Sequence, residues 1–416
     1  MPMKYNTRYF YYLIIADIVL SISACGGSDG NAGSPALPTA GNVIRVPEDF
    51  STIGAAINTA NSGDTVLVST GTYSENGTIF ITKNLTLAST FIDTGNQNNV
   101  TDTIIRGDGT NDLFIISDGA NVRIEGLTIE NARKSITIDA GHGAIRHNVI
   151  RNNNSDSISF EGDSSGLVEF NTIINSGDDG IDIDGLRGPY TIRMNTVLGS
   201  HDDGMEFRMI DSYLVTGPLE YEVYENTIDS AGGDGIQLID YPTDSENRRE
   251  MNIHHNYIKN VMFAGVGTMP DEMSQRGNLT ETYPDIAFME RVFVTNNTIV
   301  NNDNGISGGD NFVVLNNIIA DNRLGVANID GASRLDYTMF LNNNLFGVPT
   351  VVQGSNIIFD DPRLNSDGSL QDGSPGIDAG ASSYTWQSEV VLTITTFNGS
   401  APDLGWIESD VGAPPP

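Results

Sequence analysis

Three short stretches of this 416-residue chain carry carboxylates at matching positions. They read SGDDGIDIDG (176–185), SHDDGMEFRM (200–209) and AGGDGIQLID (231–240), and each places an Asp-Gly pair before alternating apolar and polar residues. Closely spaced carboxylates can divide the roles of general acid and general base between them, and they can also bind a divalent cation. The candidate catalytic residues of these stretches are Asp179, Asp202, Asp203, Asp234, His201 and Arg208.

Two kinds of polysaccharide chemistry fit this set. Glycosidic hydrolysis needs two carboxyl groups about 5–5.5 Å apart for retention or about 6.5–9.5 Å apart for inversion. A lyase or epimerase instead removes the proton beside a uronate carboxylate, which a cation such as Ca²⁺ must first neutralise. Calcium is therefore the candidate cofactor, and its candidate ligands are Asp178, Asp182 and Glu206, beside the aspartates named above. His201, Arg208, His254, His255 and Lys259 are candidates for the base or the proton donor.

The same residues also allow structural explanations. Asp-Gly is common in turns that serve no function, and a Ca²⁺ ion could simply stiffen the fold. Like charges stacked directly upon one another are destabilising, however, so a row of carboxylates over three repeats calls for a cation, shared protons or a substrate to offset it.

The strand that follows each Asp-Gly pair predicts which side chains face outward. Alternation points Ile181, Met205 and Ile236 inward and Asp182, Glu206 and Gln237 outward. Arg208 falls in the next outward column, where we expect an ion pair with Asp184. We expect left-handed turn conformations at Gly180, Gly204, Gly235 and Gly265, since glycine adopts them without strain.

A repeat underlies these strands. The motif Asn-x-(Ile/Val/Leu) recurs at spacings of 23, 24, 31, 30, 41, 20 and 26 residues, at Asn148, Asn171, Asn195, Asn226, Asn256, Asn297, Asn317 and Asn343. A period of about 20–25 residues with short strands is typical of a parallel β-helix with one coil per repeat. We expect the asparagines to stack as an inward ladder.

The longer spacings come from insertions in three consecutive coils, at 209–220, 240–250 and 268–291. Because they interrupt the same turn, we expect them to form a wall beside the carboxylates. Long loops on a regular scaffold usually carry function, and a walled groove along a solenoid suits a chain-like ligand.

The ends of the chain divide it into segments. Lys4, Arg8 and an apolar run (10–20) before Cys25, the only cysteine, predict a lipoprotein-type signal peptide over 1–24 with lipidation at Cys25. A flexible tether (25–41) follows. A single β-helix domain (42–410) begins with a capping helix at about 51–61, N-capped by Ser51, and ends in a C-terminal cap, leaving a tail at 411–416.

Composition limits the partners. Gly is abundant (45 residues), charged residues make up 18%, and 54 acidic against 21 basic residues give a net charge of −33. Such a charge repels nucleic acid and anionic membrane surfaces. It also repels an anionic polysaccharide unless cations or a local Arg/Lys cluster screen the site. We therefore expect no nucleic-acid partner and a membrane contact only through an N-terminal lipid anchor. Separately, we predict a monomer whose partner is a polysaccharide.

Several segments resemble a known group of proteins. IRVPEDFSTIGAAINTANSGDTVLVSTGTY (44–73), the Asn-x-Ile coils, and the GSPGIDAG and DLGWIES endings resemble bacterial right-handed parallel β-helix proteins of the pectin-lyase-like superfamily. The resemblance implies an all-β, right-handed parallel β-helix. Polygalacturonases of that superfamily place three Asp on adjacent coils, as this chain does, but they add a Gly-His-Gly turn further along, and here the only GHG (141–143) lies upstream.

The sequence thus predicts an extracytoplasmic carbohydrate-active enzyme, of lyase or hydrolase type, that acts on a uronate-containing polysaccharide. It would lie in a bacterial cell envelope as an outer-membrane lipoprotein, or be secreted. The alternative is a non-catalytic envelope β-helix that serves as an adhesin or a glycan-binding protein.

Overall fold

The computed structural model describes residues 41–186, 188–210, 219–240, 249–270, 283, 288, 290–343, 345–346 and 353–409. The predicted signal peptide with Cys25, the tether up to residue 40 and the tail at 411–416 lie outside the described residues. The described residues belong to one compact unit, Ala40–Pro416.

Three parallel sheets form the body of the solenoid in the described part of the chain. The first contains twelve strands: Val43–Val46, Thr65–Val68, Leu85–Ser89, Asn121–Glu125, His142–Arg146, Ser165–Glu169, Tyr190–Arg193, Leu219–Tyr224, Arg249–His254, Arg291–Thr295, Phe312–Leu315 and Arg334–Asp336. The second contains eleven: Ile79–Ile81, Phe114–Ile116, Ile136–Asp139, Ile158–Glu161, Ile181–Ile183, Met205–Met209, Ile236–Asp240, Ala264–Pro270, Asn304–Ser307, Leu324–Ala327 and Leu345–Phe346.

The third sheet again contains twelve described strands: Gly71–Ser74, Thr103–Arg106, Thr128–Glu130, Val149–Arg151, Thr172–Ile174, Thr196–Leu198, Thr227–Asp229, Tyr257–Lys259, Thr298–Val300, Ile318–Ala320, Met339–Leu341 and Ile358–Phe359. Each strand pairs in parallel with the equivalent strand of the next coil; in the second sheet Ile158, Ile181, Met205 and Ile236 align. These four side chains are fully buried in the core that runs inside the coils. The predicted parallel β-helix is confirmed.

The asparagine ladder also forms. Asn148 donates from its backbone and its side-chain nitrogen to Oδ1 of Asn171, at 3.0 and 3.1 Å, and the pattern repeats through Asn317. The prediction is wrong for Asn343, which accepts instead from Asn322 at 3.0 Å in a second ladder on the next turn of the coil. The two turns have similar local sequences, so a motif match alone cannot separate them.

A helix covers the first coils, as predicted. Helix α1 spans Ile53–Thr59 and buries Ile53, Ala56 and Ile57. The N-cap is Thr52, whose hydroxyl accepts from the backbone of Ala55, and not the predicted Ser51. Two further helices, α2 (Phe91–Thr94) and α3 (Gln97–Asp102), were not predicted.

The C-terminal segment packs along the flank of the solenoid. Its antiparallel hairpin, Ser383–Trp386 with Glu389–Thr393, places Trp386 against Phe293 and Leu315 of the first sheet. Further along, the ring of Trp406 stacks on Tyr257 with 5.5 Å between centroids.

The glycines of the Asp-Gly turns serve a different purpose from the predicted one. None of Gly180, Gly204, Gly235 and Gly265 has a positive φ. A Cβ on Gly204 would lie 2.5 Å from Cγ2 of Ile228 and 2.6 Å from the carbonyl oxygen of Gly235. Glycine is required here because the turn packs directly against the third sheet and the next coil.

The strands that flank the three insertions confirm that they interrupt the same turn. Each insertion runs from a strand of the second sheet to the next strand of the first sheet, and these strands are neighbours in both sheets. Most of the inserted residues, 211–218, 241–248, 271–282, 284–287 and 289, lie outside the described residues, and so does the predicted wall. Among the helices that are described, none is long and apolar enough to cross a bilayer.

Candidate functional site

The aspartates of the Asp-Gly turns form one column with two upstream residues. Counting back two positions from each aligned inward residue of the second sheet gives Lys134, Asp156, Asp179, Asp203 and Asp234, which we call the turn column. The backbone nitrogen of Asp203 donates to Oδ1 of Asp179 at 2.8 Å, and that of Ala264 donates to Oδ1 of Asp234 at 2.6 Å. Asp179, Asp203 and Asp234 are all buried. They therefore link successive coils, whatever else they do.

The outward residues of the adjoining strand form a second column. Ser159, Asp182, Glu206 and Gln237 align in register, as predicted, and we call them the sheet column. They are also buried, with 6% of Asp182 and 6% of Glu206 exposed. Alternation thus gave the direction of these side chains correctly but not their burial.

Lys134 connects the two columns. Its Nζ lies 2.9 Å from Oδ2 of Asp156 and donates to Oε1 of Glu161 at 2.9 Å and to Oγ of Ser159 at 3.0 Å. Burial works against the charged form, but Asp156, Glu161 and Asp182 outweigh it and raise the pKa of Lys134 above its usual range. Lys134 therefore stays protonated and acts as a fixed positive charge rather than as a base.

Arg208 lies at the outer rim of the cluster. Its Nε lies 2.9 Å from Oδ1 of Asp184 and 2.8 Å from Oε1 of Glu206, which confirms the ion pair expected from the strand alternation. About a quarter of the Arg208 side chain (26%) and a third of the Asp184 side chain (34%) are exposed. The rim is thus open to solvent, whereas Asp182 and Glu206 are buried.

The buried carboxylates resist ionisation. Burial, reinforced by Glu206 and Asp156, raises the pKa of Asp179 well above its usual range, and burial with Asp184 and Glu206 does the same for Asp182. Burial likewise raises the pKa of Glu206 to about 7, although Arg208 opposes the shift. These groups would ionise together at neutral pH only with further positive charge nearby.

A divalent cation fits this arrangement. One ligand oxygen each from Asp179, Asp182 and Glu206 can be chosen so that all three lie within 4.8 Å of one another, and Ca²⁺ holds oxygen ligands at 2.3–2.6 Å, so such atoms can share one ion. Oδ1 of Asp182 is buried and has no hydrogen-bond partner among the described residues. A second triad, Asp156, Asp178 and Asp179, also offers three ligand oxygens within 4.8 Å of one another and shares Asp179 with the first.

The remaining predicted residues have varied positions. Asp202 is half-buried and lies close enough to Glu206 to raise its pKa, while His201 is exposed on the same turn. His254 ends a strand of the first sheet and pairs with Glu222, and Lys259 belongs to the third sheet, so the structure does not bring them to the second-sheet cluster.

Lys134 and Asp156 were not predicted from the sequence. Both lack the Asp-Gly signature, since Ser follows each of them. The available signal was register, because both stand two residues before an aligned inward isoleucine.

Comparisons with known proteins agree with the fold. Residues 91–208 match the family described as the right handed beta helix region. Among curated proteins, none matches this sequence.

Solved structures of the same fold include enzymes that act on polysaccharides. The pectate lyase Pel9A is similar with a TM-score of 0.50 and 13% identity, over 86% of this chain and 91% of that one. The A-module of the Azotobacter vinelandii mannuronan C-5 epimerase AlgE6 gives 0.55 and 14%, over 76% and 98%. The catalytic unit of a GH87 α-1,3-glucanase from Streptomyces thermodiastaticus gives 0.50 and 14%, over 79% and 69%. The chain therefore has the right-handed parallel β-helix fold.

Proposed function

We propose that this protein is an extracytoplasmic enzyme that modifies a uronate-containing polysaccharide by removing the proton beside a uronate carboxylate. The observation that carries the proposal is the buried triad Asp179, Asp182 and Glu206, which is set behind a partly exposed arginine. A fold shared with a pectate lyase and a mannuronan epimerase supports the reaction class by analogy alone.

The triad supplies the site for Ca²⁺. When bound there, the ion would neutralise the substrate carboxylate and so acidify the neighbouring C–H bond. Asp179, Asp182 and Glu206 would hold it, and Oδ1 of Asp182 is buried with no hydrogen-bond partner among the described residues. The same ion would let the three carboxylates ionise at neutral pH.

The rim supplies the contacts with the substrate. The guanidinium of Arg208 has planar donors suited to a carboxylate or a sugar hydroxyl, and part of it is exposed. His201 is proposed as the group that accepts the proton, because imidazole is the commonest general base and this residue is exposed on the adjoining turn. In a lyase the electron pair released at the ring carbon forms a C=C bond and expels the glycosidic oxygen, which takes up a proton.

This chemistry is favoured over hydrolysis because of how the turn column is used. Asp203 and Asp234 each give a carboxylate oxygen to a backbone N–H of the next coil, in a buried turn. A hydrolytic pair must instead face the glycosidic oxygen and a water molecule.

A product assay tests the proposal. The full-length protein is incubated with uronans of different composition and with neutral α-1,3-glucan, with Ca²⁺ or with EDTA. New absorbance from unsaturated uronate indicates a lyase, inverted uronate residues by NMR indicate an epimerase, and new reducing ends without unsaturation indicate a hydrolase. The absence of product from every substrate would overturn the proposal that the protein is an enzyme. Binding of the protein to one glycan without turnover would favour the glycan-binding alternative.

Matched variants locate the activity. Asp182→Asn and Glu206→Gln should each abolish Ca²⁺-dependent turnover, since each removes a charge from the triad. Asp139→Asn is the control, because Asp139 is exposed on the same sheet, where it aligns in register with Glu161 of the next strand. Full activity in both triad variants would show that the site lies elsewhere.

The cellular location needs a separate test. We propose that Cys25 is lipidated and anchors the protein to the cell envelope. Cys25→Ser should then move the protein from the membrane fraction to the soluble fraction and remove the mass of the acyl chains. An unchanged fractionation would contradict the anchor but leave the enzyme proposal untouched.

A further inference from the structure

We propose that Lys134 is a built-in counterion that restricts this protein to one bound divalent cation. The inference deepens the proposed function, since it concerns which of two overlapping triads takes the cation. It rests on contacts of Lys134 that the assignment of the triad did not require.

The acidic residues alone would provide two sites. Asp156, Asp178 and Asp179 form one triad, which we call the upper triad, and Asp179, Asp182 and Glu206 form the other, which we call the lower triad. In both, three ligand oxygens lie within 4.8 Å of one another, and both include Asp179. Carboxylate geometry therefore does not decide between one ion and two.

Lys134 limits the protein to one ion because it neutralises the upper triad. Its Nζ lies 2.9 Å from Oδ2 of Asp156, and only 12% of the lysine side chain and 3% of the aspartate side chain are exposed. The other oxygen of Asp156 faces the backbone nitrogen of Asp179 at 3.4 Å. A cation bound to Asp156 would have to displace a buried ammonium whose remaining donors are held by Glu161 and Ser159.

The lower triad also has a cationic neighbour, since Nε of Arg208 lies 2.8 Å from Oε1 of Glu206. However, 26% of the Arg208 side chain is exposed, against 12% of Lys134, so a metal ion displaces the arginine at a lower cost. Lys134 approaches it only through Oδ2 of Asp182, at 3.9 Å, while Oδ1 of Asp182 is buried with no hydrogen-bond partner among the described residues. The ammonium therefore leaves one oxygen of Asp182 for a metal and helps to offset the charge of the cluster. Since an ammonium is a fixed single charge that metal chelators do not remove, the cluster stays partly neutralised even without metal.

The position of Lys134 in the chain supports this assignment. It stands in the turn column, one coil before Asp156 and two coils before Asp179. The later coils have an aspartate at this position, whereas this coil has a lysine, whose amine lies at the end of the row of aspartates.

Calcium titration of the full-length protein by calorimetry, with equilibrium dialysis to count ions, tests the inference without any enzymatic activity. The wild type should bind one Ca²⁺, and Lys134→Met should bind two, because the upper triad is then released. One ion in Lys134→Met, or two in the wild type, overturns the inference while leaving the cation of the proposed function in place. If the wild type binds no Ca²⁺, both the cation of the proposed function and this inference are overturned. The product assay then tests for activity that does not depend on a cation.

A milder pair of variants covers the case in which Lys134→Met fails to fold. Asp178 is half-buried and belongs to the upper triad alone. Asp178→Asn should weaken Ca²⁺ binding by less than about threefold, the effect of one nearby partly screened charge, whereas Asp182→Asn should weaken it at least tenfold. Equal losses in the two variants would mean that both triads are used and would overturn the inference.

Discussion

The backbone nitrogen of Asp203 donates a hydrogen bond to Oδ1 of Asp179, one coil away, at 2.8 Å. Asp203 in turn accepts from the backbone nitrogen of Asp234. The turn column therefore works like the asparagine ladder, with one acceptor oxygen per coil bound to the next N–H. Because an amide oxygen can accept this bond as well as a carboxylate oxygen can, the column needs the acceptor and not the charge.

This relationship predicts opposite results for two substitutions of Asp203. Asp203→Ala should lower the free energy of unfolding by about 1–3 kcal/mol, because it leaves the buried N–H of Asp234 without its acceptor. Asp203→Asn should cost less than about 1 kcal/mol, because its Oδ1 can still accept. Urea unfolding of both variants measures the difference. Equal destabilisation would show that the charge of Asp203, and not its acceptor oxygen, stabilises the turn.

Glu206 predicts a pH dependence of stability in the absence of metal. Burial raises its pKa to about 7 in the folded protein, from an ordinary value of about 4.5 for a glutamate. The folded state then binds more protons than the unfolded state between these values, so the free energy of unfolding should fall as the pH rises from about 4.5 to about 7 and level off above that. The loss should be on the order of 3 kcal/mol, since one unit of pKa corresponds to about 1.4 kcal/mol.

Urea unfolding in EDTA across this pH range measures the effect of Glu206. Glu206→Gln should reduce the slope, and saturating Ca²⁺ should reduce it as well by favouring the ionised carboxylates. The raised pKa values of Asp179 and Asp182 act in the same direction, so some slope should persist in the variant. Stability that increases over the same range would contradict the burial of an unneutralised cluster.

Repetition made much of the fold predictable. The Asn-x-Ile period and the two-residue alternation gave the parallel coils, the inward residues and the pairing of Arg208 with Asp184. These features repeat in each coil, so one sequence displays them several times. Asn343 shows the limit, because two turns of the same coil use asparagine in the same way.

The candidate site was less predictable because it depends on contacts between coils. The alternation shows that Asp182 and Glu206 face outward, but whether an outward face is covered depends on the rest of the fold. The sequence does not show that the aspartates of the Asp-Gly turns are buried, because their hydrogen-bond partners lie a whole coil away. Lys134 lacks the repeated motif, so only the register of the strands places it in the cluster.

Substitution of the buried Arg249 should have a large effect on stability. It is fully buried, its side chain donates to the carbonyl oxygen of Ile210 and to the hydroxyl of Tyr221 (3.2 Å), and its Nη1 lies 3.6 Å from Oε1 of Glu290. Ile210, Arg249 and Glu290 each border a different insertion. Arg249→Met should lower the free energy of unfolding by about 3–5 kcal/mol, because it removes a buried guanidinium that binds Ile210 and Tyr221 and balances the charge of Glu290.

The double variant Arg249→Met with Glu290→Gln is the control for Arg249. It should recover part of the loss, since Glu290→Gln removes the charge that Arg249 balances. Guanidinium unfolding measures both proteins. A single variant as stable as the wild type would mean that Glu290 finds another partner.

Substitution of a glycine in the Asp-Gly turns should destabilise the protein, and a helical glycine of the same chain is the control. A Cβ on Gly204 would lie 2.5 Å from Cγ2 of Ile228 and 2.6 Å from the carbonyl oxygen of Gly235, so Gly204→Ala must push the turn away from the third sheet. We expect a loss of about 1–3 kcal/mol, the usual cost of overpacking a well-packed core.

Gly54 lies inside α1, where the nearest atoms to an added Cβ are 3.5–3.7 Å away. Gly54→Ala should therefore stabilise the protein by about 0.4–1 kcal/mol, because alanine reduces the entropy of the unfolded chain and favours the helix. Thermal unfolding should move in opposite directions for the two variants. If Gly204→Ala were neutral, the turn could shift without cost, and close packing would no longer explain why glycine follows the aspartate in each of these coils.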